Sequence, residues 1–167
     1  MNNQNNTSIE ELVEILKKIK LTVSVAESCT GGMVASSIVN VAGASNIFNE
    51  SYVTYSNEAK HRILGVKEET LEKYGAVSEQ TAEEMARGCM SAAGADVGIS
   101  TTGIAGPDGG TKEKPVGLVY IGCIVGNRVF IEKNIFKGDR LTVRRQAAEK
   151  AIINTIKTLK EEYHELI

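Results

Sequence analysis

Two glycine-containing segments and a tyrosine–lysine pair are the residues of this chain whose types and spacing could do chemistry. The first segment, SCTGG, covers residues 28–32, and the second runs from Gly103 to Gly110. Each follows an apolar run, as where a strand opens into a glycine-rich turn. Backbone N–H groups in such turns bind phosphate or stabilise an oxyanion. The two segments therefore predict a ligand site.

In the first segment, Ser28 is the candidate nucleophile. Thr30, Gly31 and Gly32 are candidate substrate-binding residues through their N–H groups. The segment is not a P-loop, because no lysine follows the glycines, and it lacks the glycines of a nucleophile elbow. A helix cap with glycines for close packing explains the same residues without a ligand. Cys29 is a weaker nucleophile candidate, since no histidine lies near it in the sequence.

Tyr55 and Lys60 flank a short segment in which a strand is expected to give way to a helix. A lysine acts as a general base only if burial or a nearby cation lowers its pKa towards neutrality. The tyrosine hydroxyl could relay the proton or hold the amine. The spacing is one residue longer than in short-chain dehydrogenases, and no GxGxxG segment precedes it, so a dinucleotide oxidoreductase is unsupported. A solvent-exposed lysine is the alternative interpretation.

The second segment adds Thr102, Gly103 and Gly106 as candidate substrate-binding residues, with a plain turn between strands as the alternative. Arg140 and Arg144 fall in the first turns of the last predicted helix. A cation there opposes the helix dipole unless an anion lies nearby. Both arginines are therefore candidate phosphate ligands, and exposed surface charge is the other interpretation.

Composition narrows the class of protein. The 167 residues are 42% apolar and 24% charged, with a net charge of −2. Such a balance gives no electrostatic basis for binding nucleic acid or an anionic membrane. We find no signal peptide and no apolar window of the roughly 18 residues that span a bilayer. Three widely spaced cysteines without a CxxC pair indicate reduced thiols and neither a disulfide nor a metal site, so we expect a cytoplasmic protein.

Hydrophobic periodicity predicts the elements that position these residues. Residues 1–6 are a polar tract expected to lack fixed structure, and residues 7–167 form a single domain that begins with a helix capped by Thr7. Strands are expected over residues 21–26, 50–56, 96–102, 116–125 and 128–136, and helices over residues 7–20, 57–64, 67–73 and 78–94, after residue 32 and after residue 139. This order predicts an α/β class, with a mixed sheet in a three-layer α/β/α domain.

Seven segments together resemble the CinA C-terminal domain family, which is similar to stand-alone nicotinamide-nucleotide amidohydrolases. They are AESCTGG from residue 26, VTYSNEAK from residue 53, GAVSE from residue 75, the glycine-rich segment 103–110, KPVG from residue 114, GDR from residue 138 and VRRQ from residue 143. They occur in order over about residues 8–160. Each segment alone is weak evidence for the family, but the seven segments together are highly specific for it.

The resemblance implies hydrolysis of the carboxamide of nicotinamide mononucleotide, which gives nicotinic acid mononucleotide and ammonia. It also implies an α/β/α fold, a homodimer, a small nucleotide as substrate, and no cofactor or required metal. Longer members carry an N-terminal domain that resembles molybdopterin-binding proteins and has a pyrophosphatase activity. We do not expect that second activity here.

The mechanism that this resemblance implies is acyl transfer through a serine–lysine pair. Lys60 would deprotonate the attacking hydroxyl, and Tyr55 would position or relay the proton. Ser28 is the preferred nucleophile. Ser45, in the GAS segment that precedes the predicted tyrosine–lysine strand, remains an alternative nucleophile or a substrate ligand. A non-catalytic nucleotide-binding or regulatory module is the competing function, and an amidohydrolase for another small amide is a third.

Overall fold

The computed structural model describes residues 3–167, with side chains from Ser8 onward. Its strands are β1 (Val23–Glu27), β2 (Phe48–Val53), β3 (Val97–Gly103), β4 (Leu118–Val125) and β5 (Arg128–Ile135). They form one sheet in the order β2-β1-β3-β4-β5. β1 pairs in parallel with β2 and with β3, whereas β3–β4 and β4–β5 are antiparallel. The predicted mixed sheet is confirmed.

Helices cover both faces of this sheet. They are α1 (Asn3–Ile19), α2 (Met33–Val39), α3 (Asn57–Leu64), α4 (Glu68–Tyr74), α5 (Glu79–Ala93) and α6 (Arg140–Glu162), with a 3₁₀ turn at Ala44–Asn46. One core lies between the sheet and α1, α2 and α6, and a second lies between the sheet and α3, α4 and α5. The three-layer α/β/α architecture is therefore confirmed. Within the described range, no helix is long and apolar enough to cross a membrane.

The middle of the sheet is fully buried because helices cover both of its faces. All five residues of β1 are buried. Val25 belongs to the first core and Ala26 to the second, as the alternation of side chains along a strand requires. On the second face, α5 approaches α3 so closely that a Cβ at Gly88 would lie 2.1 Å from the Leu64 carbonyl oxygen. This close packing fixes α3, the helix that carries Lys60.

Two helix N-caps, one helix C-terminus and one hairpin connection form as local sequence signals predict. Ser78 and Asp139 cap α5 and α6 by accepting hydrogen bonds from backbone N–H groups of the first turn. Gly94 ends α5 in the left-handed conformation, at φ +60°. Gly126, at φ +58°, opens the two-residue connection between β4 and β5.

Two predicted boundaries, the start of α1 and the end of β2, differ from the structure by three residues or more. α1 begins at Asn3, so Thr7 lies inside the helix and does not cap it, and part of the tract predicted to lack structure is helical. Extending an existing helix gains one hydrogen bond for each residue that it fixes, so polar residues can join it. Met1 and Asn2 lie outside the described residues. β2 ends at Val53 because the chain then leaves the sheet and Ser56 caps α3.

Candidate functional site

The candidate site lies where the carboxyl ends of three parallel strands meet, the usual place for a ligand in an α/β sheet. Ser28 follows β1, Lys60 follows β2 on α3, and the second glycine-rich segment follows β3. They surround a pocket of about 250 Å³. The pocket is lined by Ser28, Cys29, Tyr55, Lys60, Ala76, Val77, Thr102, residues 103–106, Asp108, Gly109 and Arg140. The strand ends therefore bring both predicted segments and the predicted lysine together.

Ser28 and Lys60 form a direct pair. The Nζ atom of Lys60 donates a hydrogen bond of 3.0 Å to Ser28 Oγ and one of 2.8 Å to the Thr54 carbonyl. Lys60 is only 1% exposed, although it belongs to a helix that is otherwise mostly polar. The Ser56 cap starts α3 one turn earlier and so directs this side chain inward, below the pocket. The prediction that the two residues meet is confirmed.

Burial changes the chemistry of this lysine. Loss of hydration lowers the pKa of Lys60 from its usual 10.5 to about 8. Among the described residues, no carboxylate forms an ion pair with it. With a pKa of about 8, about a tenth of the molecules carry a neutral amine at pH 7. A neutral amine can accept the Ser28 proton across the same contact, so the pair has the geometry of a nucleophile and its base.

The two other nucleophile candidates do not fit. Burial raises the pKa of the Cys29 thiol to about 12, so the thiol remains protonated near neutral pH. Ser45 is exposed in the 3₁₀ turn that precedes β2, whereas Lys60 follows β2. The length of β2, about 16 Å at about 3.3 Å per residue, separates them. Within one chain, the prediction of Ser45 as nucleophile is therefore wrong.

Tyr55 lies at the mouth of the pocket and not beside the lysine amine. It is 63% exposed, and its hydroxyl accepts a hydrogen bond of 2.9 Å from Arg140. The same guanidinium donates to the Gly106 carbonyl at 2.7 Å. The hydrogen bonds of Lys60 go to other partners, so this geometry does not support the predicted proton relay by Tyr55. Instead, Tyr55 holds Arg140 over the entrance.

Two of the three N–H groups predicted to hold a phosphate in the first segment, those of Gly31 and Gly32, are bonded inside the protein. The N–H of Gly32 donates to the buried carboxylate of Glu27 at 3.0 Å, and the Thr30 hydroxyl donates to the same oxygen. The N–H of Gly31 donates to the Ser28 carbonyl at 3.2 Å. The chain's own carboxylate thus lies where the substrate phosphate was expected. A role for the Thr30 hydroxyl and for the N–H groups of Gly31 and Gly32 as phosphate ligands is therefore unsupported.

Arg144 braces this turn from α6. Its Nε donates to the Cys29 carbonyl and its Nη2 to the Thr30 carbonyl, both at 2.9 Å. Arg144 is also not among the residues that line the pocket, whereas Arg140 is, so the predicted role of Arg144 as a phosphate ligand is unsupported. In the described part of the chain, no backbone carbonyl accepts a hydrogen bond from the N–H of Cys29, which contacts its own thiol. Cys29 follows Ser28 and lines the pocket, so its N–H is a candidate oxyanion donor.

The second glycine-rich segment forms one wall of the pocket. Gly106 adopts φ +84°, and a Cβ there would lie 2.5 Å from Val116, so the backbone itself forms the wall. Across residues 3–167, the N–H groups of Gly106 and Gly109 find no hydrogen-bond partner. Gly103 also lines the pocket. Thr102 does so too, but its hydroxyl donates to the Ala76 carbonyl at 2.7 Å and holds the neighbouring turn.

The charges around the pocket suit a small anion. Lys60 and Arg140 are the cationic side chains in its lining, and Asp108 is the acidic one. Asp108 belongs to the predicted segment 103–110, although it was not named as a candidate. The Ala76–Val77 turn was not predicted to line the site, because only the fold brings it to the pocket. Among the described residues, no group of three or more His, Cys, Asp or Glu side chains is arranged to hold a metal ion.

Comparison with known proteins places this chain in a family. The CinA C-terminal domain model matches residues 5–159. The chain belongs to this family. A CinA-like protein of Kosmotoga olearia is 58% identical over 146 residues, which are 87% of this chain and 35% of the relative. The chain thus spans about a third of the length of the curated relatives that it matches.

Solved structures of CinA proteins share the whole fold. The competence/damage inducible protein CihA from Agrobacterium tumefaciens has a TM-score of 0.91 at 36% identity, covering 96% of this chain and 98% of that one. A CinA superfamily protein from Klebsiella pneumoniae has a TM-score of 0.91 at 32% identity, covering 96% and 99%. This CinA-family domain therefore has the same architecture as those proteins.

Proposed function

We propose that this chain hydrolyses the carboxamide of nicotinamide mononucleotide to nicotinic acid mononucleotide and ammonia. The observation that carries the proposal is the 3.0 Å contact between Lys60 Nζ and Ser28 Oγ in a pocket at the strand ends. A buried amine whose pKa is lowered to about 8 can act as a base near neutral pH. The choice of a pyridine nucleotide over other small amides rests on the family resemblance.

Each step of the proposed reaction uses a group at the pocket. Neutral Lys60 takes the hydroxyl proton as Ser28 Oγ attacks the carboxamide carbon. The N–H of Cys29 stabilises the oxyanion, with a typical worth of about 3 kcal/mol. The ammonium of Lys60 then returns the proton to the leaving nitrogen, and ammonia departs. Water, deprotonated by the same amine, hydrolyses the acyl-enzyme and releases Ser28.

The phosphate of the substrate would lie at the pocket mouth. Arg140 has the planar donor set that suits a phosphate, and Tyr55 already orients it. Gly106 and Gly109 line the same pocket, and their unpaired N–H groups would add neutral donors. This assignment leaves Thr30, Gly31, Gly32 and Arg144 to hold the nucleophile turn.

Release of ammonia from nicotinamide mononucleotide in metal-free buffer tests the proposal. We expect turnover by the purified chain and a loss of roughly 1,000-fold or more in Ser28→Ala, because a missing nucleophile cannot be replaced by its neighbours. Ser45→Ala is the matched control and should keep turnover within about threefold, since Ser45 precedes β2 and so lies at the end of this strand opposite to Lys60. Binding of the nucleotide without ammonia release would contradict hydrolysis and favour a non-catalytic module.

We also propose that the chain works as a homodimer in the cytoplasm. The dimer follows from the family resemblance, and the cytoplasmic location follows from the three cysteines, all of which are buried as free thiols. Sedimentation equilibrium at micromolar concentration should give twice the chain mass of 18.0 kDa. A single species of 18.0 kDa would contradict the dimer without affecting the chemistry at Ser28.

A further inference from the structure

Glu27 is a buried carboxylate that the proposed reaction does not use. It is the last residue of β1, immediately before Ser28, and it is only 1% exposed. Within the described part of the chain, no lysine, arginine or histidine forms an ion pair with it. A carboxylate at such a depth needs several hydrogen-bond donors to offset its lost hydration.

The first turn of α2 supplies most of these donors. Oε2 accepts from the N–H groups of Gly32 and Val34 at 3.0 and 3.1 Å, and Oε1 accepts from the N–H of Ala35 at 2.9 Å. The Thr30 hydroxyl donates to Oε2 as well. Glu27 therefore acts as an internal anion for the otherwise unpaired N–H groups at the start of this helix.

These bonds enclose the residue that carries the nucleophile. In the sequence, Ser28 lies between Glu27 and the donors to the Glu27 carboxylate, which begin at Thr30. The Glu27 side chain therefore spans the turn that contains Ser28. The Thr30 hydroxyl also contacts the Thr101 hydroxyl at 2.7 Å, which ties the turn to β3. The N–H of Ser28 donates to the Thr101 carbonyl at 2.9 Å. The backbone on both sides of the nucleophile is thus fixed to β3.

The backbone of Glu27 is also connected to Lys60, through two hydrogen bonds made by Thr54. Its carbonyl accepts a hydrogen bond of 2.9 Å from the N–H of Thr54, and the Thr54 carbonyl accepts from Lys60 Nζ at 2.8 Å. The side chain of Glu27 thus holds the nucleophile turn, while its main chain holds the segment that orients the base. A shift of about 1 Å between reacting groups can cost about 100-fold in rate.

We propose that Glu27 is a positioning residue that holds Ser28 Oγ against the amine of Lys60. The inference rests on Ser28 being the nucleophile of the proposed function, but not on the identity of the substrate. The test is therefore the rate at which phenylmethanesulfonyl fluoride labels Ser28, followed by intact mass. In that reaction a bond forms between Ser28 Oγ and sulfur, the S–F bond breaks, fluoride leaves, and Lys60 takes the hydroxyl proton.

We expect Glu27→Gln to lower the labelling rate about tenfold or more, because the amide NH₂ cannot accept bonds from α2 and the turn shifts. The pH at which the rate is half-maximal should stay unchanged, since the surroundings of Lys60 keep their burial. Glu69→Gln, on the exposed side of α4, is the matched control and should label at the wild-type rate. All rates are measured at a temperature where each variant is fully folded by circular dichroism.

A second pair of variants decides the question if Glu27→Gln does not fold. Thr30→Val removes the hydroxyl that joins Glu27 to Thr101, and we expect labelling to slow about threefold. Thr30→Ser keeps a hydroxyl and should restore the wild-type rate. A folded Glu27→Gln or Thr30→Val with reduced melting temperature but unchanged labelling would overturn the positioning role alone. A wild-type chain whose Ser28 is not labelled would overturn both this role and the proposed nucleophile.

Discussion

Lys60 is the residue in which the demands of folding and of the proposed chemistry oppose each other most directly. Its amine lies below the pocket, with hydrogen bonds to Ser28 and to the Thr54 carbonyl but without an ion pair among the described residues. Burial disfavours the charged form, which is why the pKa of Lys60 falls to about 8. The same burial that creates a base should therefore lower the stability of the folded chain.

The rate should depend on pH through this one group. Hydrolysis needs the neutral amine, so kcat/KM should rise about tenfold per pH unit below pH 8 and level off above it, where the amine is already neutral. Initial rates between pH 6 and pH 9.5, in buffers of constant ionic strength, measure the profile. A rate that falls as the pH rises from 7 to 8 would contradict a general-base lysine.

Replacing Lys60 with methionine should abolish turnover and yet stabilise the chain near neutral pH. Between pH 8 and 10.5 the unfolded chain binds a proton that the folded chain does not, so wild-type stability rises with pH in this window and the penalty is complete below pH 8. After allowing for the lost bond to the Thr54 carbonyl, we expect a gain of about 1–2 kcal/mol at pH 7.

Urea unfolding of both chains at pH 7 and pH 10 measures this effect. The advantage of Lys60→Met should shrink towards zero or reverse at pH 10, where wild-type Lys60 no longer carries most of its penalty. A stability difference that is the same at both pH values would show that charge burial is not its cause.

At the scale of elements, the entrance of the pocket depends on a hydrogen-bonded link between three separate segments. Arg140, the first residue of α6, bonds both to the Tyr55 hydroxyl after β2 and to the Gly106 carbonyl after β3. This link sets the distance between the two sides of the mouth. This contact favours a role for Tyr55 in binding the proposed substrate, whereas the predicted proton relay would give Tyr55 a role in the chemical step.

Tyr55→Phe separates these two roles, because it removes the hydroxyl and keeps the ring. We expect KM for nicotinamide mononucleotide to rise about three- to tenfold, with kcat within about threefold, since Arg140 loses its orientation but the Ser28–Lys60 pair is intact. Tyr74→Phe, on α4, is the matched control and should change neither constant. A fall of about 100-fold in kcat at unchanged KM would contradict our assignment and restore the relay.

Local signals allowed most elements to be predicted, because each depends on neighbours in sequence. The bounds of α3 match the prediction, since the Ser56 cap and the left-handed Gly65 at its end are both local. The role of Glu27 was missed because its partners on α2 become neighbours only after the chain turns. The signal that was available is a charged residue at the end of an otherwise uncharged buried strand. The order of elements along the chain already argued against Ser45 as the nucleophile, since Ser45 precedes the predicted strand that Lys60 follows.

At the scale of the whole molecule, three free thiols report on the integrity of the fold. Cys29 follows β1, Cys89 lies on α5 and Cys123 lies in β4, so they sample the sheet and both of its faces. Burial raises the pKa of Cys29 and Cys89 to about 12 and that of Cys123 to about 11. In the folded state these thiols should be neither ionised nor accessible near pH 8.

Iodoacetamide should therefore leave the native chain unmodified at pH 8 and alkylate all three cysteines in denaturant. We expect the three thiols to become reactive at the same urea concentration, which should coincide with the loss of helical circular dichroism, because one domain unfolds as one unit. Mass spectrometry of peptides from a urea series measures each thiol separately. Reaction of Cys29 well before the other two would show that the nucleophile turn opens locally.

The carboxylate of Glu27 affects whether the turn that bears Ser28 must become ordered when a substrate binds. In many proteins a strand, a glycine-rich turn and the start of a helix bind an anion that comes from solution. Here the anion is covalently part of the chain, so this turn carries its own counter-ion. The hydroxyl of Ser28, which we propose as the nucleophile, is therefore preorganised before any ligand arrives, and no binding free energy is needed to order the segment that bears it.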